Sequence, residues 1–406
     1  MKTLAALLAG VLLVALALAG TSRHRAVKSR KPARQAAGAP HQDWRVGSPT
    51  SFDNLTIFPV LSEQAASADD FITLDEGLRT GKVSITEIGA DGRAHRLRSR
   101  RQSDDDDAEV NRLALTNRSG KKLILIAGEM ILGGKQDRIV GHDCVIEATA
   151  RPVPIDVFCV EHGRWSGSES FGQSRSAGSD GGIGSGRSVA VGTGRSHGGG
   201  RGYNMGGGDR VIVGGSVRTV AGGVSGGVMS GAIAMPNVRE KAQAAKSQEE
   251  VWNTVAEAVT VNGVSSDTGD LKSVYKDKQV SRKLDDYEGA FKGKLQAAQI
   301  VGVIAAVGGR IISADVFANH RLFQAYWPKM LKSFALQAVS AAERQNQEVT
   351  RGDAEAYLAR AEGTREASDQ GAYRLVENQS SKDASFELES RAARRTLLHF
   401  NRISKQ

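Results

Sequence analysis

A long stretch rich in glycine, serine and arginine divides the chain, and it limits the folds that the sequence can adopt. Residues 166–235 contain runs such as SDGGIGSG and AGGVSGGVMSG, and no apolar periodicity passes through them. Such a composition buries too little apolar surface to offset the entropy that is lost on ordering. We therefore predict a flexible insertion at 166–235, so that a folded core must draw on residues from both sides of it.

The N-terminal end predicts export. Met1 and Lys2 precede an apolar run from Leu4 to Ala19, and the run ends in small residues, as in a cleaved signal peptide. Basic residues crowd the linker at 20–45, which we predict to be disordered, and basic residues there resist translocation. An uncleaved anchor at 1–19 is therefore the alternative. We expect a periplasmic or extracellular protein, with membrane contact only if the N-terminal segment stays attached.

The net charge of +9 does not predict nucleic-acid binding. The surplus of basic residues lies in the leader, in the linker at 20–45 and in the Gly-rich segment, and the rest of the chain is close to neutral. A basic surface for nucleic acid would need clustered cations on the folded part. Nucleic acid is therefore not an expected partner.

The chain has two cysteines, Cys144 and Cys159, which is too few for a disulfide scaffold and does not have zinc-ligand spacing. We interpret Asp143–Thr149 and Pro154–Val160 as a hairpin whose register places Cys144 opposite Cys159. Directly opposed Cβ atoms lie about 4.5–5.5 Å apart, within reach of a slightly adjusted disulfide. Two buried thiols are the alternative. No metal site is predicted, and the sequence identifies no cofactor.

Strands and helices do not alternate regularly, which predicts an α+β fold of mostly antiparallel strands and hairpins packed with helices. We expect one core, interrupted by the long Gly-rich loop. The predicted strands are Leu55–Leu61, Val83–Ile88, Val110–Thr116, Leu123–Ala127, Ile300–Val307, Arg310–Val316, Tyr373–Glu377, Ser385–Leu388 and Thr396–Phe400. The predicted helices begin after Thr73 and span Arg239–Val259, Lys272–Lys278, Ser281–Phe291 and Pro328–Glu343. Hairpin turns are predicted at Asn117–Gly120 and Gly308–Gly309.

Ionisable residues are densest between Ala127 and Trp165, and we predict the functional centre there. Charges beside buried strands cost free energy unless they are paired or used. Glu129 fits an acid or a base, and Arg138 fits a group that holds phosphate or carboxylate. Ion pairs of Glu129 with Lys135 or Arg138, and of Arg138 with Glu161, are the alternatives. The candidate ligand-binding residues are Glu129, Lys135, Gln136, Asp137, Arg138, Glu161, Arg164 and Trp165.

Several motifs stand in an order that is similar to a known family. They are NLTIFPVL (Asn54–Leu61), FITLDEGL (Phe71–Leu78), the segment Leu115–Val140, PIDVFCVEHGRW (Pro154–Trp165), QEEVWNTV (Gln248–Val255), GVIAAVGGRIISADVFA (Gly302–Ala318), LFQAYWPKMLKSFALQAV (Leu322–Val339) and LLHF (Leu397–Phe400). The chain resembles the ADP-ribosylglycohydrolase and rhodanese-phosphatase-superfamily-associated protein domain, a prokaryotic family of unknown molecular function. The resemblance implies one domain at 46–402, interrupted by the Gly-rich segment.

Two functions of different classes follow from these observations. The first is an exported domain that binds a small anionic ligand, nucleotide-like or sugar-phosphate-like, in a polar pocket formed by the charged residues. The alternative is a non-catalytic interaction domain of the cell envelope, in which the charges are structural and the Gly-rich segment contacts a partner protein. The sequence identifies no catalytic residue, and it leaves open whether the chain is an enzyme.

Overall fold

The strands and helices of the chain are those of a computed structural model, which describes residues 43–63, 70–88, 111–163, 171–172, 232–341, 348–392 and 395–405. The strands are β1 (Arg45–Val46), β2 (Thr50–Phe52), β3 (Leu55–Leu61), β4 (Phe71–Thr73), β5 (Val83–Glu87), β6 (Arg112–Asn117), β7 (Lys122–Leu125), β8 (Met130–Gly133), β9 (Arg138–Val140), β10 (Cys144–Ile146), β11 (Thr149–Cys159), β12 (Phe171–Gly172), β13 (Ile300–Val307), β14 (Arg310–Phe317), β15 (Thr364–Gln370), β16 (Tyr373–Gln379), β17 (Asp383–Ser390) and β18 (Leu397–Ser404).

Helices occur mainly after residue 235. They are α1 (Leu74–Arg79), α2 (Pro236–Glu240), which continues as a π-helix over Lys241–Ala245, α3 (Gln248–Val261), α4 (Leu271–Lys276), α5 (Lys278–Phe291), α6 (His320–Ser340) and α7 (Arg351–Ala359). The strands are almost all antiparallel, and helices pack against them, which confirms the predicted α+β class.

Three sheets contain these strands. The large sheet has the order β1-β3-β13-β14-β18-β17-β16-β15, with β2 also paired to β3. A second sheet has the order β12-β8-β9-β11-β6-β5, and a small sheet has the order β10-β7-β4, in which β4 and β7 are parallel. The large sheet therefore joins strands from both sides of the Gly-rich segment, because β3 pairs with β13.

Helices cover both faces of the large sheet. Helix α6 packs on β13 and β14 with buried aromatic residues that include Phe323 and Phe334, and α7 contacts β14 and β1 on the opposite face. Strand β13 is buried along its whole length, since it lies between these two layers. A further core lies between the second sheet and the small sheet, where Leu115 and Ile155 pack with Leu123.

Many predicted elements are present near their expected positions. Thr73 caps α1 by accepting a hydrogen bond from the backbone N–H of Glu76. The hairpin of β13 and β14 turns at Gly308–Gly309, where both residues have the positive φ that glycine accommodates. The three C-terminal strands are also present, each longer than predicted.

The two predicted hairpins near the functional block are wrong. Strands β6 and β7 flank the turn at Asn117–Gly120, but β6 pairs with β11 and β5, whereas β7 pairs with β10 and β4. The side chain of Asn117 donates to the carbonyls of Lys121 and Ile146, so this turn is a corner between two sheets. Strand β11 continues through the predicted turn at 150–153, because Val153 and Ile155 pair with Leu115 and Leu113 of β6.

The helix boundaries differ from prediction in two places. The predicted helix at Arg239–Val259 is interrupted at Lys246, which has a φ of 54°, and α3 then begins after the N-cap Ser247. Helix α6 begins eight residues before Pro328, because the side chain of Asn319 caps it by accepting from the N–H of Leu322. Pro328 therefore lies inside the helix rather than at its first turn.

Some predictions concern residues outside those that the structure describes. These are the leader at 1–19, the linker at 20–42 and nearly all of the Gly-rich segment. In the described ranges, no helix is long and apolar enough to cross a membrane.

Candidate functional site

The centre of the charged block is a tight turn at Ile126–Glu129, which we call the central turn. Gly128 has a φ of 86°, which favours glycine. The carboxylate of Glu129 accepts the N–H of Ile126 at 2.9 Å, and the carboxylate of Asp143 accepts the N–H of Ala127 at 2.8 Å. The segment 232–234 lies alongside, with the N–H of Ala234 donating to the carbonyl of Gly128. Two buried carboxylates therefore hold this backbone in place.

Glu129 also forms a buried ion pair with Lys329 of α6. The Lys329 ammonium lies 2.5 Å from the Glu129 carboxylate and 3.0 Å from the Asp75 carboxylate on α1. The side chains of Glu129 and Lys329 are 2% and 3% exposed, whereas that of Asp75 is 28% exposed. The ammonium also lies 4.3 Å from the centre of the Tyr326 ring. The predicted ion pairs of Glu129 with Lys135 or Arg138 are thus replaced by a pair with a distant helix.

Burial and pairing act in opposite directions on these groups. Burial raises the pKa of Glu129, and the charge of Lys329 opposes that rise. Burial alone would lower the pKa of Lys329, but the carboxylates of Glu129 and Asp75 outweigh it and raise that pKa. The lysine is therefore held in its charged form inside the protein.

A second chain of buried charges begins at Asp143. The ring Nδ1 of His399 donates to Asp143 at 2.6 Å, and its Nε2 lies 3.4 Å from Asp315. Asp315 in turn accepts hydrogen bonds from Arg239 at 2.8 Å and from Asn401 at 2.9 Å. All four charged side chains are completely buried. The order Asp143–His399–Asp315–Arg239 alternates in sign, which satisfies charges that would otherwise be costly in the interior.

This alternation shifts two pKa values. Burial alone would lower the pKa of His399, but Asp143 and Asp315 together raise it from 6.5 to about 9. Burial alone would raise the pKa of Asp315, yet Arg239 and His399 hold it well below its usual range. His399 is therefore an imidazolium at neutral pH, with its two nitrogens directed at carboxylates.

Another group of predicted residues meets near the start of β9. The carboxylate of Asp137 accepts the N–H of Gly133 at 2.8 Å and lies 3.1 Å from the Lys272 ammonium on α4. The backbone N–H of Asp137 donates to the carboxylate of Glu161, and the amide of Gln136 donates to the carbonyl of Glu161. Burial raises the pKa of Asp137, and Gly133 and Lys272 oppose that rise. The structure therefore brings Gln136, Asp137 and Glu161 together.

The remaining predicted residues do not join one polar pocket. Lys135 is exposed, and its backbone N–H donates to Glu87. Arg138 is buried on β9 opposite Cys159, and the chain bends at Lys135 and Gln136 just before β9 begins. Arg164 and Trp165 lie outside the described residues.

The two cysteines are free thiols, so the predicted disulfide is not formed. Cys144 pairs with Leu125 in the small sheet, and Cys159 pairs with Arg138 in the second sheet. Burial raises the pKa of both thiols, that of Cys159 to about 11. A thiol with such a pKa is a poor nucleophile at neutral pH.

The sequence did not predict the residues that form the most deeply buried ion pairs of the network. Each missed residue has its partner far away along the chain, so that no local spacing indicates the pair. Most of them lie within the motifs that carry the family resemblance, and those motifs were the available signal. The missed residues are Asp75, Asp143, Arg239, Asp315, Lys329 and His399.

A cavity of about 550 Å³ lies at the end of the large sheet where β14 and β17 begin and β18 ends. We call it the basic groove, because four cationic side chains line it: Arg310, Arg360, Lys382 and Lys405. A neighbouring cavity of about 420 Å³ lies between the tip of the β13–β14 hairpin and helices α2, α3 and α6. None of the predicted block residues lines either of these two cavities.

In the ranges that the structure describes, no group of three or more His, Cys, Asp and Glu residues is arranged to hold a metal ion. The acidic side chains of the block instead accept hydrogen bonds from backbone N–H groups and lie against lysines.

These features define an α+β domain built around an internal charge network, with a basic groove at one end of its large sheet. The family model of the ARG and Rhodanese-Phosphatase-superfamily-associated Protein domain matches residues 43–182 and 230–403. The chain therefore belongs to this family, a domain of unknown molecular function, and the resemblance seen in the sequence is confirmed. No curated protein and no solved structure matches the chain.

Proposed function

We propose that the protein binds a small anionic ligand, and that the ligand occupies the basic groove. One observation carries the proposal, namely the four cationic side chains that line a single cavity of about 550 Å³. Clustered cations in a concave surface concentrate anions and attract them over a distance. The proposed ligand is of the class that the sequence predicts, but its site is the basic groove rather than the charged block at Ala127–Trp165.

Two of the four cations are available to a ligand. Arg310 and Lys382 are exposed, and within the described part of the chain neither has an acidic partner within 4 Å. Arg360 is fixed by its ion pair with the buried Asp383, and the ammonium of Lys405 donates to the carbonyl of Ser380 at 2.8 Å. A guanidinium is suited to bidentate contact with phosphate or carboxylate oxygens.

The acidic residues of the groove do not neutralise it. Asp353 belongs to the capping box of α7, in which its carboxylate accepts from the backbone N–H and the hydroxyl of the N-cap Thr350. Glu348 is exposed to solvent. Four cationic side chains against these two carboxylates leave the lining of the groove with a net positive charge, with the free cations on the side formed by the sheet.

The charged block is less suited to hold this ligand. Glu129 and Asp137 face Lys329 and Lys272, and Glu161 accepts from the backbone of Asp137. An anion that entered there would have to displace a buried carboxylate from its lysine, which is costly in the protein interior.

The proposal is tested by calorimetric titration of the full chain with inorganic pyrophosphate at low ionic strength. We expect saturable binding that weakens as salt is added, because exposed charges are screened. The Arg310→Gln/Lys382→Gln variant should bind at least roughly tenfold more weakly, because each hydrogen bond to a charged group contributes about 1.5–3 kcal/mol. The matched control is Arg282→Gln/Lys278→Gln, which removes the same charge from exposed positions on α5.

Three outcomes would contradict the proposal. One is the absence of pyrophosphate binding to the unaltered chain. The second is equal weakening in the groove variant and in the α5 control, which would show a general charge effect. The third is a loss of binding on replacing Lys135 while the groove variant binds normally, which would place the ligand at the block.

The paired charges favour a second candidate function, a non-catalytic interaction domain of the cell envelope in which the block is structural. We also propose for this candidate that residues 1–19 direct export and that the Gly-rich segment contacts a partner protein through residues 173–231, since Ala232–Met235 are buried in the fold. The specific observation is that three buried carboxylates of the block, those of Glu129, Asp137 and Asp143, lie against cations from other parts of the fold.

This second candidate has its own experiment. Cell fractionation, with mass spectrometry of the mature N-terminus, should find the protein outside the cytoplasm and without its leader. Deletion of residues 173–229, which keeps β12 intact, should leave the melting temperature unchanged and abolish a cross-link to one envelope protein. An unaltered cross-linking pattern after the deletion would exclude the role of the Gly-rich segment.

A further inference from the structure

Within the described ranges, the neighbouring cavity beside the basic groove has apolar side chains in its lining, most of them buried and one of them exposed. Val261, at the end of α3, lines this cavity and is 49% exposed, and it is one of two exposed large apolar side chains in the described ranges. Further apolar side chains line the same space, those of Met235, Ala258, Val307, Ile311, Ile312 and Ala341. Apolar atoms in a concave surface are a favourable site for the apolar part of a ligand.

Several polar residues of this cavity are already engaged within the protein. The side-chain oxygen of Gln337 accepts the N–H of Asn237, and the hydroxyl of Thr254 donates to the carbonyl of Glu250. The hydroxyl of Ser340 accepts from Asn262. These groups gain little from new hydrogen bonds to a ligand, and Lys241 is paired with Glu240 and Glu250. The exposed carboxylate of Glu257 repels an anionic head, so the part of a ligand that fits this cavity is its apolar body.

The two cavities adjoin at the tip of the β13–β14 hairpin. Arg310, Ile311 and Ser404 line both of them, so that the free guanidinium of Arg310 stands between the basic groove and the apolar wall. A ligand with its charged group beside Arg310 therefore has apolar protein surface within reach on the other side. In the groove itself, Tyr357 is 3% exposed and presents no open ring for a base to stack on.

We infer that the ligand is an amphiphilic anion, with a phosphate or carboxylate head in the basic groove and an aliphatic body in the neighbouring cavity. This inference rests on the proposed function, because it uses the same groove for the head. It specifies the ligand class as an acyl or alkyl anion rather than a hydrophilic sugar phosphate. Each methylene that is buried against the apolar wall strengthens binding severalfold.

The inference is tested by calorimetry with inorganic phosphate, ethyl phosphate, hexyl phosphate and glycerol phosphate, all below any micelle concentration. We expect hexyl phosphate to bind at least roughly tenfold more tightly than ethyl phosphate, since burial of only two methylenes produces about that ratio. Glycerol phosphate should bind no more tightly than ethyl phosphate. The Val261→Asn variant should reduce the increase in affinity from ethyl phosphate to hexyl phosphate. Titration of the same variant with inorganic phosphate measures binding of the head group alone.

The outcomes separate this inference from the proposed function. If inorganic phosphate binds in the groove but affinity does not rise with chain length, the amphiphile is excluded and anion binding stands. If hexyl phosphate keeps its full affinity in Arg310→Gln/Lys382→Gln, the chain is bound elsewhere and the inference is wrong. If no phosphate compound binds at all, the proposed function itself fails.

Discussion

Replacing Lys329 with methionine removes the cation of the buried pair and leaves the carboxylate of Glu129 without it. The two side chains are 3% and 2% exposed and lie 2.5 Å apart, so solvent cannot replace the lost ammonium. Removing one partner of a buried ion pair costs about 3–5 kcal/mol, because an uncompensated charge stays in the interior. We therefore expect Lys329→Met to lose about that much of the free energy of unfolding.

The double variant Glu129→Gln/Lys329→Met tests the reason for this loss. A neutral amide at position 129 can still accept the N–H of Ile126, so the double variant should be more stable than Lys329→Met alone. Asp75→Asn is the matched control, because Asp75 is 28% exposed and its pair with Lys329 is partly solvated. That substitution should cost less than about 1 kcal/mol.

Equilibrium urea denaturation at pH 7 and pH 5 measures these differences. Burial raises the pKa of Glu129 above its usual 4.5. In Lys329→Met no ammonium opposes that rise, so the folded state binds the proton more tightly than the unfolded state does. Stability of this variant should then recover, relative to the unaltered protein, as the pH falls through the raised pKa. A Lys329→Met variant within about 1 kcal/mol of the unaltered protein at pH 7 would refute the reasoning.

Three further predictions follow from the network and the thiols. Because its pKa is raised to about 9, His399 contributes stability that is complete below pH 6.5 and is lost as the pH rises through 9. In urea denaturation, the stability difference between the unaltered protein and His399→Gln should therefore shrink between pH 7 and pH 10. Gly128→Ala should lower the free energy of unfolding by at least about 1 kcal/mol more than Gly120→Ala does. Both glycines have a positive φ, but a Cβ at position 128 would lie 2.5 Å from the side chain of the buried Arg239. Equal melting temperatures of the two variants would exclude this packing. Cys144 and Cys159 should react with a thiol reagent only after unfolding, since both are buried, and rapid labelling of the native protein would contradict the structure.

Local patterns in the sequence predict local elements, and several of these are confirmed. The alternation in Val83–Glu87 produces β5, and the glycine pair at 308–309 permits the hairpin of β13 and β14. Strand β15 was missed because its sequence, TREASDQ, is exposed along its length and has no apolar alternation. A strand that is stabilised only by pairing at a sheet edge leaves no periodic signal.

The candidate site was less predictable than the fold. Glu129 was expected in a functional centre, but its partner Lys329 lies 200 residues away, and His399 lies 256 residues from Asp143. Hydrophobic periodicity cannot identify such pairs, because they depend on how sheets and helices pack together. The four cations of the basic groove are equally dispersed along the chain, since Arg310 begins β14, Arg360 follows α7, Lys382 precedes β17 and Lys405 follows β18.

The most direct test of the account is the position of a bound anion. Crystals of the full chain soaked in tungstate, a dianion that resembles phosphate and scatters anomalously, would locate it without reference to activity. The account predicts an anomalous peak in the basic groove, within contact of Arg310 and Lys382. A peak beside Lys135 and Lys272 at the charged block, with the groove empty, would contradict it.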